Sequence, residues 1–408
     1  MTFVEELTKF LNNSSEETYI WGNGLRGRAL YAGIRRLGLE KKINGFIDSN
    51  ARLNNSTFLG KKIIKPKLNK NFKIINCVSK FGGEITKYFK SDDILDTNEF
   101  SDLGHWSIEL MDVCNLKCPS CPRGNYEKIK NEKNYMDVSN FQEIVNHIEK
   151  IDKMSSYIAL YNWGDPLLHP KLHKIFEYLN KKKYYVALSS NLSMPKPNLS
   201  LIAKKIKCGE LRISLSGFTQ ETYGKTHNKG NIELVKENMI LLSRELKNKN
   251  NKDIQVKVVY HIYKHNIHEV ELMKKFSENL NFTFDPIKAI LFPVEHLINY
   301  VERGTTSSIE FNSMVDNMLE PVNQVLARGA SSSKKCKFWD QHDIMVDGSV
   351  NLCCITYDNF KNRAANDILN ITDSNELTTR KRNHPTCIKC MNYNIDQFVW
   401  GDLWSEKA

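Results

Sequence analysis

Three cysteines within eight residues, Cys114-Asn115-Leu116-Lys117-Cys118-Pro119-Ser120-Cys121, follow the apolar run WSIELM. That run opens a long alternation of short apolar strands and amphipathic helices. The further strands are YIALYNW, YYVALSS, LRISLS, IQVKVVYHIY and FTFDPIKAIL. Helical patterns between them cover 139–152, 171–182, 198–206, 231–247 and 267–279, and Ser139 with Gln142 has the spacing of a capping box. Six strands joined by helical crossovers predict an α/β fold with a parallel, barrel-like sheet, a partial (β/α)6 barrel. In such a sheet the loops after the strand C-termini carry the chemistry, and the cysteine run is the first of them.

Composition excludes other classes. The 408 residues are 41% hydrophobic and 26% charged, as in a soluble globular protein of two or three domains. No apolar run reaches the roughly 20 residues of a membrane span, and MTFVEELTKF lacks a signal-peptide pattern, which places the chain in the cytoplasm with no membrane partner. There the ten cysteines, grouped at short spacings, point to metal or cluster binding over disulfides. The net charge of +11 comes from lysines spread through a chain rich in Lys, Asn and Ile. No recognition helix or stacking motif accompanies it, so nucleic acid is an unfavoured partner.

Residues 1–97 precede the barrel and read as a Rossmann-like module. The strand TYIW leads into Gly22-Asn23-Gly24-Leu25-Arg26-Gly27, an apolar-periodic helix follows, and INGFID ends on Asp48. That is a GxGxxG between strand and helix, with an acid about 20 residues on where a ribose-binding carboxylate would sit. Gly22, Gly24, Gly27 and Asp48 are therefore candidate nucleotide-binding residues, although the same turn can serve packing alone.

Three thiolates make a poor structural zinc site, which wants four ligands, but they suit a [4Fe–4S] cluster with one iron left open. With its place after the first barrel strand, this CxxxCxxC resembles the radical S-adenosylmethionine (SAM) superfamily over roughly residues 106–295. The resemblance implies that Cys114, Cys118 and Cys121 hold a cluster to which SAM binds, yielding a 5′-deoxyadenosyl radical. It further implies that Asn162-Trp163-Gly164-Asp165-Pro166 corresponds to the family's Gly-Gly-Glu-Pro segment, with Asp165 in place of Glu, so that Gly164, Asp165 and Pro166 hold the SAM amino group. Ser190, Asn191, Ser214 and Ser216 fall where relatives bind the SAM ribose and carboxylate; strand-end capping is the plainer role for each. Ser120 departs from the family, which commonly places a large aromatic or Met there against the adenine.

A helical connector over 296–335, ending in GASSSKK, leads to a Cys-rich tail over 336–408 with Cys336, Cys353, Cys387 and Cys390. Alone, four such cysteines would suggest a zinc ribbon. After a radical SAM barrel at 98–295 they resemble the SPASM and twitch auxiliary-cluster domains, in the shorter arrangement of the 2-deoxy-scyllo-inosamine dehydrogenase type. Four thiolates would fill one auxiliary [4Fe–4S] cluster and suit electron transfer. Cys354 follows a predicted ligand; it is read as a hydrogen-atom donor, as packing, or as the true ligand. Cys77 and Cys208 are read as small buried residues.

The resemblance implies a radical SAM oxidoreductase that abstracts hydrogen from an unactivated carbon. Its expected substrate is sugar-like or aminocyclitol-like, free or nucleotide-linked, with a flavodoxin or ferredoxin as electron donor. Oxidation would use the auxiliary cluster as electron acceptor; epimerisation would use Cys354. Modification of a ribosomally made peptide is the main rival. A zinc-stabilised RNA-binding protein and a nicotinamide dehydrogenase built on the N-terminal module are the readings from other classes.

Overall fold

The computed structural model describes residues 2–13, 16–50, 55–66, 72–78, 85, 89–97, 104–125, 135–329, 336, 338–357 and 361–400. Two sheets organise it. The first contains β1 (Thr18–Trp21), β2 (Gly45–Ile47), β3 (Thr57–Phe58), β4 (Lys61–Ile64), β5 (Lys73–Asn76) and β6 (Ile94–Asp96), in the order β3-β4-β2-β1-β5-β6. Its pairings are parallel apart from β3 with β4. Strand order reverses between β1 and β5, and the helix Leu25–Arg36 starts beside that switch point.

The second sheet contains β7 (His105–Ile108), β8 (Tyr157–Ala159), β9 (Tyr185–Ser190), β10 (Gly209–Leu215), β11 (Ile254–Ile262) and β12 (Thr283–Lys288), side by side and parallel in chain order. The helices Val138–Ile151, Leu172–Lys181, Leu199–Lys205, Ile232–Asn248 and Val270–Asn279 lie between them, where the sequence periodicity predicts helix. Strand alternation explains the layering. On β10, Leu211, Ile213 and Leu215 pack with helix residues Ile232, Val235 and Met239. The alternate residues Glu210, Arg212 and Ser214 face inward, where they meet Lys257, Tyr161 and His261.

The expected capping box does not form. The first barrel helix takes Asp137 as its N-cap, because Met136 is tied by its N–H to the Leu110 carbonyl at 3.0 Å and the chain turns immediately after it. Ser139 therefore lies inside the helix. The connector is helical at Val294–Arg303, Ile309–Asp316 and Val322–Gly329; residues 330–335 of GASSSKK lie outside the described residues.

The tail does not stand apart from the barrel. Strand β13 (His342–Ile344) pairs in parallel with β7, placing His342 opposite Trp106 and Ile344 opposite Ile108. A hairpin of β14 (Val350–Asn351) and β15 (Arg363–Ala365) continues the sheet. The N-terminal module sits against the opposite end of the barrel. A Cβ added at Gly33 would lie 2.6 Å from Met154 Cε, Arg36 stacks over the Tyr184 ring at 3.7 Å, and Leu59 N–H donates to Asp253 at 2.8 Å. Met154, Tyr184 and Asp253 precede β8, β9 and β11, so the module covers the N-terminal strand ends and leaves the C-terminal ends open. Among the described residues no helix is long and apolar enough to cross a membrane.

Candidate active site

A cavity of about 220 Å³ opens at the C-terminal ends of the barrel strands. Cys114, Cys118 and Cys121 line it together with Gly164, Asp165, Ser190, Asn191, Ser214 and Ser216. Residues separated by a hundred positions thus meet in one place. Pro166 is the exception: it is buried and opens the short 3-10 turn behind Asp165.

The cysteine loop is held by its neighbours. Cys121 N–H donates to the Cys118 carbonyl at 3.0 Å, Lys117 N–H to Asn228 O at 3.0 Å, and Asn115 Nδ2 to Ser193 O at 2.7 Å. Burial pushes the Cys114 thiol up to about 12 and Cys118 well above its ordinary value, with neighbouring cysteines adding to both. A bound metal centre would ionise such thiols by supplying positive charge, and the chemistry of the three cysteines of this loop fits the expected cluster.

Asp165 is 3% exposed and accepts four hydrogen bonds: from Leu167 N at 3.0 Å, Ser190 Oγ at 2.8 Å, Asn191 N at 3.1 Å and Asn191 Nδ2 at 2.9 Å. Three of them fall on Oδ2 and one on Oδ1, so Oδ1 keeps an acceptor site for a further donor. Burial nevertheless raises its pKa to about 6. The carboxyl fixes Ser190 at the end of β9 and Asn191 just after it, and Asn191 reaches on to Asn115 at 3.0 Å. Ser214 bonds His261 Nε2 at 3.2 Å, and Ser216 bonds Thr226 and His227.

Several site residues escaped the sequence reading. Glu109, 1% exposed, accepts the backbone N–H of Trp163 at 2.9 Å and of Gly164 at 3.1 Å, while Arg123 lies between it and Asp112. Its signal was a lone acid within the apolar WSIELM. Tyr161, His261, Tyr263 and Phe292 also line the cavity. Tyr263 is within hydrogen-bonding reach of Ser120 and brings an aromatic ring beside the position where the cysteine loop lacks one.

A second cavity, about 30 Å³, is lined by Cys336, Cys353, Cys387 and Cys390 together with Val294, Phe338 and Ile355. All four predicted tail ligands face it. Cys354 lines neither cavity; its thiol is pushed well up by burial and then by Asp343 and Cys353. Cys77 and Cys208 are buried, and burial raises both to about 12, in keeping with packing.

In the N-terminal module Gly22 has a φ of 99°, and a Cβ at Gly27 would fall 1.9 Å from the Gly22 carbonyl oxygen, so this turn needs glycine at both positions. Gly24 is the helix N-cap with open space around it. Asp48 accepts Asn23 N–H at 2.7 Å and therefore lies over the turn.

Residues 108–276 match the model of the Radical SAM superfamily. No curated protein sequence matches the chain. Among solved structures, native anSMEcpe with bound AdoMet is 16% identical with a TM-score of 0.43, over 70% of this chain and 82% of that one. Streptococcus suis SuiB bound to precursor peptide SuiA is 12% identical at 0.44, over 71% and 66%. BtrN in complex with AdoMet and 2-DOIA is 13% identical at 0.38, over 69% and 87%. By that match, residues 108–276 are a radical SAM domain.

Proposed function

We propose that this protein is a radical SAM oxidoreductase that removes hydrogen from an unactivated carbon of a sugar-like or aminocyclitol-type substrate. The observation that carries the reading is the convergence of Cys114, Cys118 and Cys121 with Gly164, Asp165, Ser190, Asn191, Ser214 and Ser216 on one cavity. When bound, the cluster and SAM supply a 5′-deoxyadenosyl radical. The chain's part is to hold them: the three cysteines ligate, the Asn162–Asp165 turn faces the SAM amino group, and Glu109 and Asp165 fix that turn and the end of β9. Tyr161, Ser214 and His261 offer neutral hydrogen-bonding groups on the cavity wall, suited to hydroxyls.

Oxidation is the preferred outcome. The four tail cysteines on one cavity support an auxiliary cluster that can accept the substrate electron, while Cys354, the candidate donor for epimerisation, lies off the barrel cavity.

The N-terminal sheet is read as Rossmann-like. Its switch point beside the Gly22–Gly27 turn supports a nucleotide there, and with it a nucleotide-linked substrate. If NAD(H) and not SAM raised the melting temperature, the dehydrogenase reading of that module would take precedence.

Reaction in D₂O tests the outcome. A dehydrogenation releases a proton and an electron from the substrate radical, so the product is two hydrogens lighter with no deuterium at the reacting carbon. An unoxidised isomer carrying one deuterium, lost in Cys354→Ala, would overturn oxidation in favour of epimerisation.

A further inference from the structure

His261 is the penultimate residue of β11, opposite Ile287 on β12, and its carbonyl accepts Asn266 Nδ2 at 2.8 Å. Its half-buried ring lines the cavity that holds the cysteine loop, with Nε2 3.2 Å from Ser214 Oγ. A neutral imidazole has one N–H and one lone pair. The ring therefore offers an acceptor either directly at Nδ1 or, through the Ser214 hydroxyl, at Nε2. The other candidates among the described residues of the wall are committed elsewhere. Arg212 donates to the Tyr161 phenol oxygen at 3.0 Å, which leaves Tyr161 to donate toward the cavity. His227 is 8% exposed, and its Nδ1 sits between Ser216 Oγ at 3.0 Å and Thr226 Oγ1 at 3.1 Å. Asp165 belongs to the turn read as facing the SAM amino group. Burial, and after it the Arg212 charge, push His261 down to about 4, so its ring is neutral at physiological pH.

We propose that His261 accepts the proton that a substrate hydroxyl loses as its carbon is oxidised to a carbonyl. The inference rests on reading the reaction as a dehydrogenation. Of the unit H–C–O–H, the hydrogen on carbon leaves with one electron and closes a C–H bond of 5′-deoxyadenosine. The second electron goes to the tail [4Fe–4S] centre as one-electron acceptor, the O–H proton goes to the imidazole, and the C=O bond forms. An α-hydroxy radical that gives up its electron turns into a protonated carbonyl, a strong acid, so a neutral ring of low basicity is sufficient. The same low basicity returns the proton to water before the next turnover.

The test uses the reconstituted full chain with SAM, dithionite and 2-deoxy-scyllo-inosamine as probe, and reads carbonyl product per 5′-deoxyadenosine. His261→Gln keeps a hydrogen-bonding group beside Ser214 but takes up no proton. Its product ratio is expected to fall about 100-fold, with an organic radical accumulating in freeze-quenched EPR. In His261→Ala, where the lost ring leaves space for it, added imidazole is expected to restore product. An unchanged product ratio in His261→Gln overturns the inference. Weakened SAM binding in that variant, measured by calorimetry, assigns the ring to holding SAM through Ser214 and overturns it as well. Should His261→Gln fail to hold iron, His261→Ala decides: product restored by imidazole supports the proton acceptor, and no restoration overturns it. A parent that cleaves SAM and leaves the probe unoxidised removes the substrate reading and this inference together.

Discussion

A methyl group at Gly164 would sit 1.9 Å from the Met111 carbonyl oxygen and 3.0 Å from that of Val113. Backbone atoms cannot yield as a flexible side chain can, so Gly164→Ala must displace the Trp163–Gly164 peptide from Glu109. The expected cost is about 1–3 kcal/mol of stability, read as a lower melting temperature, with SAM affinity reduced as the turn shifts. Asp165→Asn asks a different question: it keeps shape, removes charge and swaps one acceptor for a donor. Loss of charge-assisted bonds to Ser190 and Asn191 predicts SAM binding weaker by roughly 10- to 100-fold at unchanged iron content, measured by calorimetry; unchanged affinity would confine Asp165 to strand-end capping. At this scale the sequence showed residues that belong to a spacing, such as Cys114, Cys118, Cys121 and Gly164. It hid those whose role depends on a neighbour's backbone. Glu109 has no spaced partner in the chain, and its task, receiving two N–H groups some 54 and 55 residues away, exists only once β7 and β8 lie side by side.

At the scale of elements, the helix Val294–Arg303 ties the barrel to the tail. Glu295 on its first turn accepts Tyr357 N–H at 3.1 Å and Asn362 Nδ2, and Val294 N–H donates to Ile355 O at 2.9 Å. Burial pushes the Glu295 carboxyl up from 4.5 to about 7. The native state therefore keeps this proton to higher pH than the unfolded chain does, and the associated stability, complete below about 4.5, fades as pH rises through about 7. Glu295→Gln cannot ionise, so its melting temperature relative to the parent should improve between pH 5 and pH 8. A difference independent of pH would show that Glu295 is ionised throughout. The strands and helices of the barrel were legible because each spans enough residues to display its period. Strand β13 was not: three residues carry no period, and its place beside β7 comes from the edge that a six-stranded barrel leaves unpaired. The capping box misled for a related reason, since Ser139 and Gln142 have the spacing but tertiary anchoring of Met136 starts the helix earlier.

The whole molecule places the N-terminal module over the N-terminal ends of the barrel strands, the cysteine loop at the opposite ends, and the tail along the free edge of the barrel sheet. Seven cysteines facing two cavities predict two [4Fe–4S] clusters, hence about eight irons per chain, falling to about four when Cys114, Cys118 and Cys121 are all replaced by Ala. Iron analysis with a parallel zinc determination checks both numbers, and eight irons in the triple variant would break the assignment of the first set. The measurement closest to the central claim is 5′-deoxyadenosine formation by anaerobically reconstituted protein given SAM and dithionite. The account predicts 5′-deoxyadenosine and methionine in equal amounts from the parent and neither from the Cys114, Cys118, Cys121 triple variant. No SAM cleavage by an iron-loaded parent, or cleavage that survives loss of the three cysteines, would contradict it.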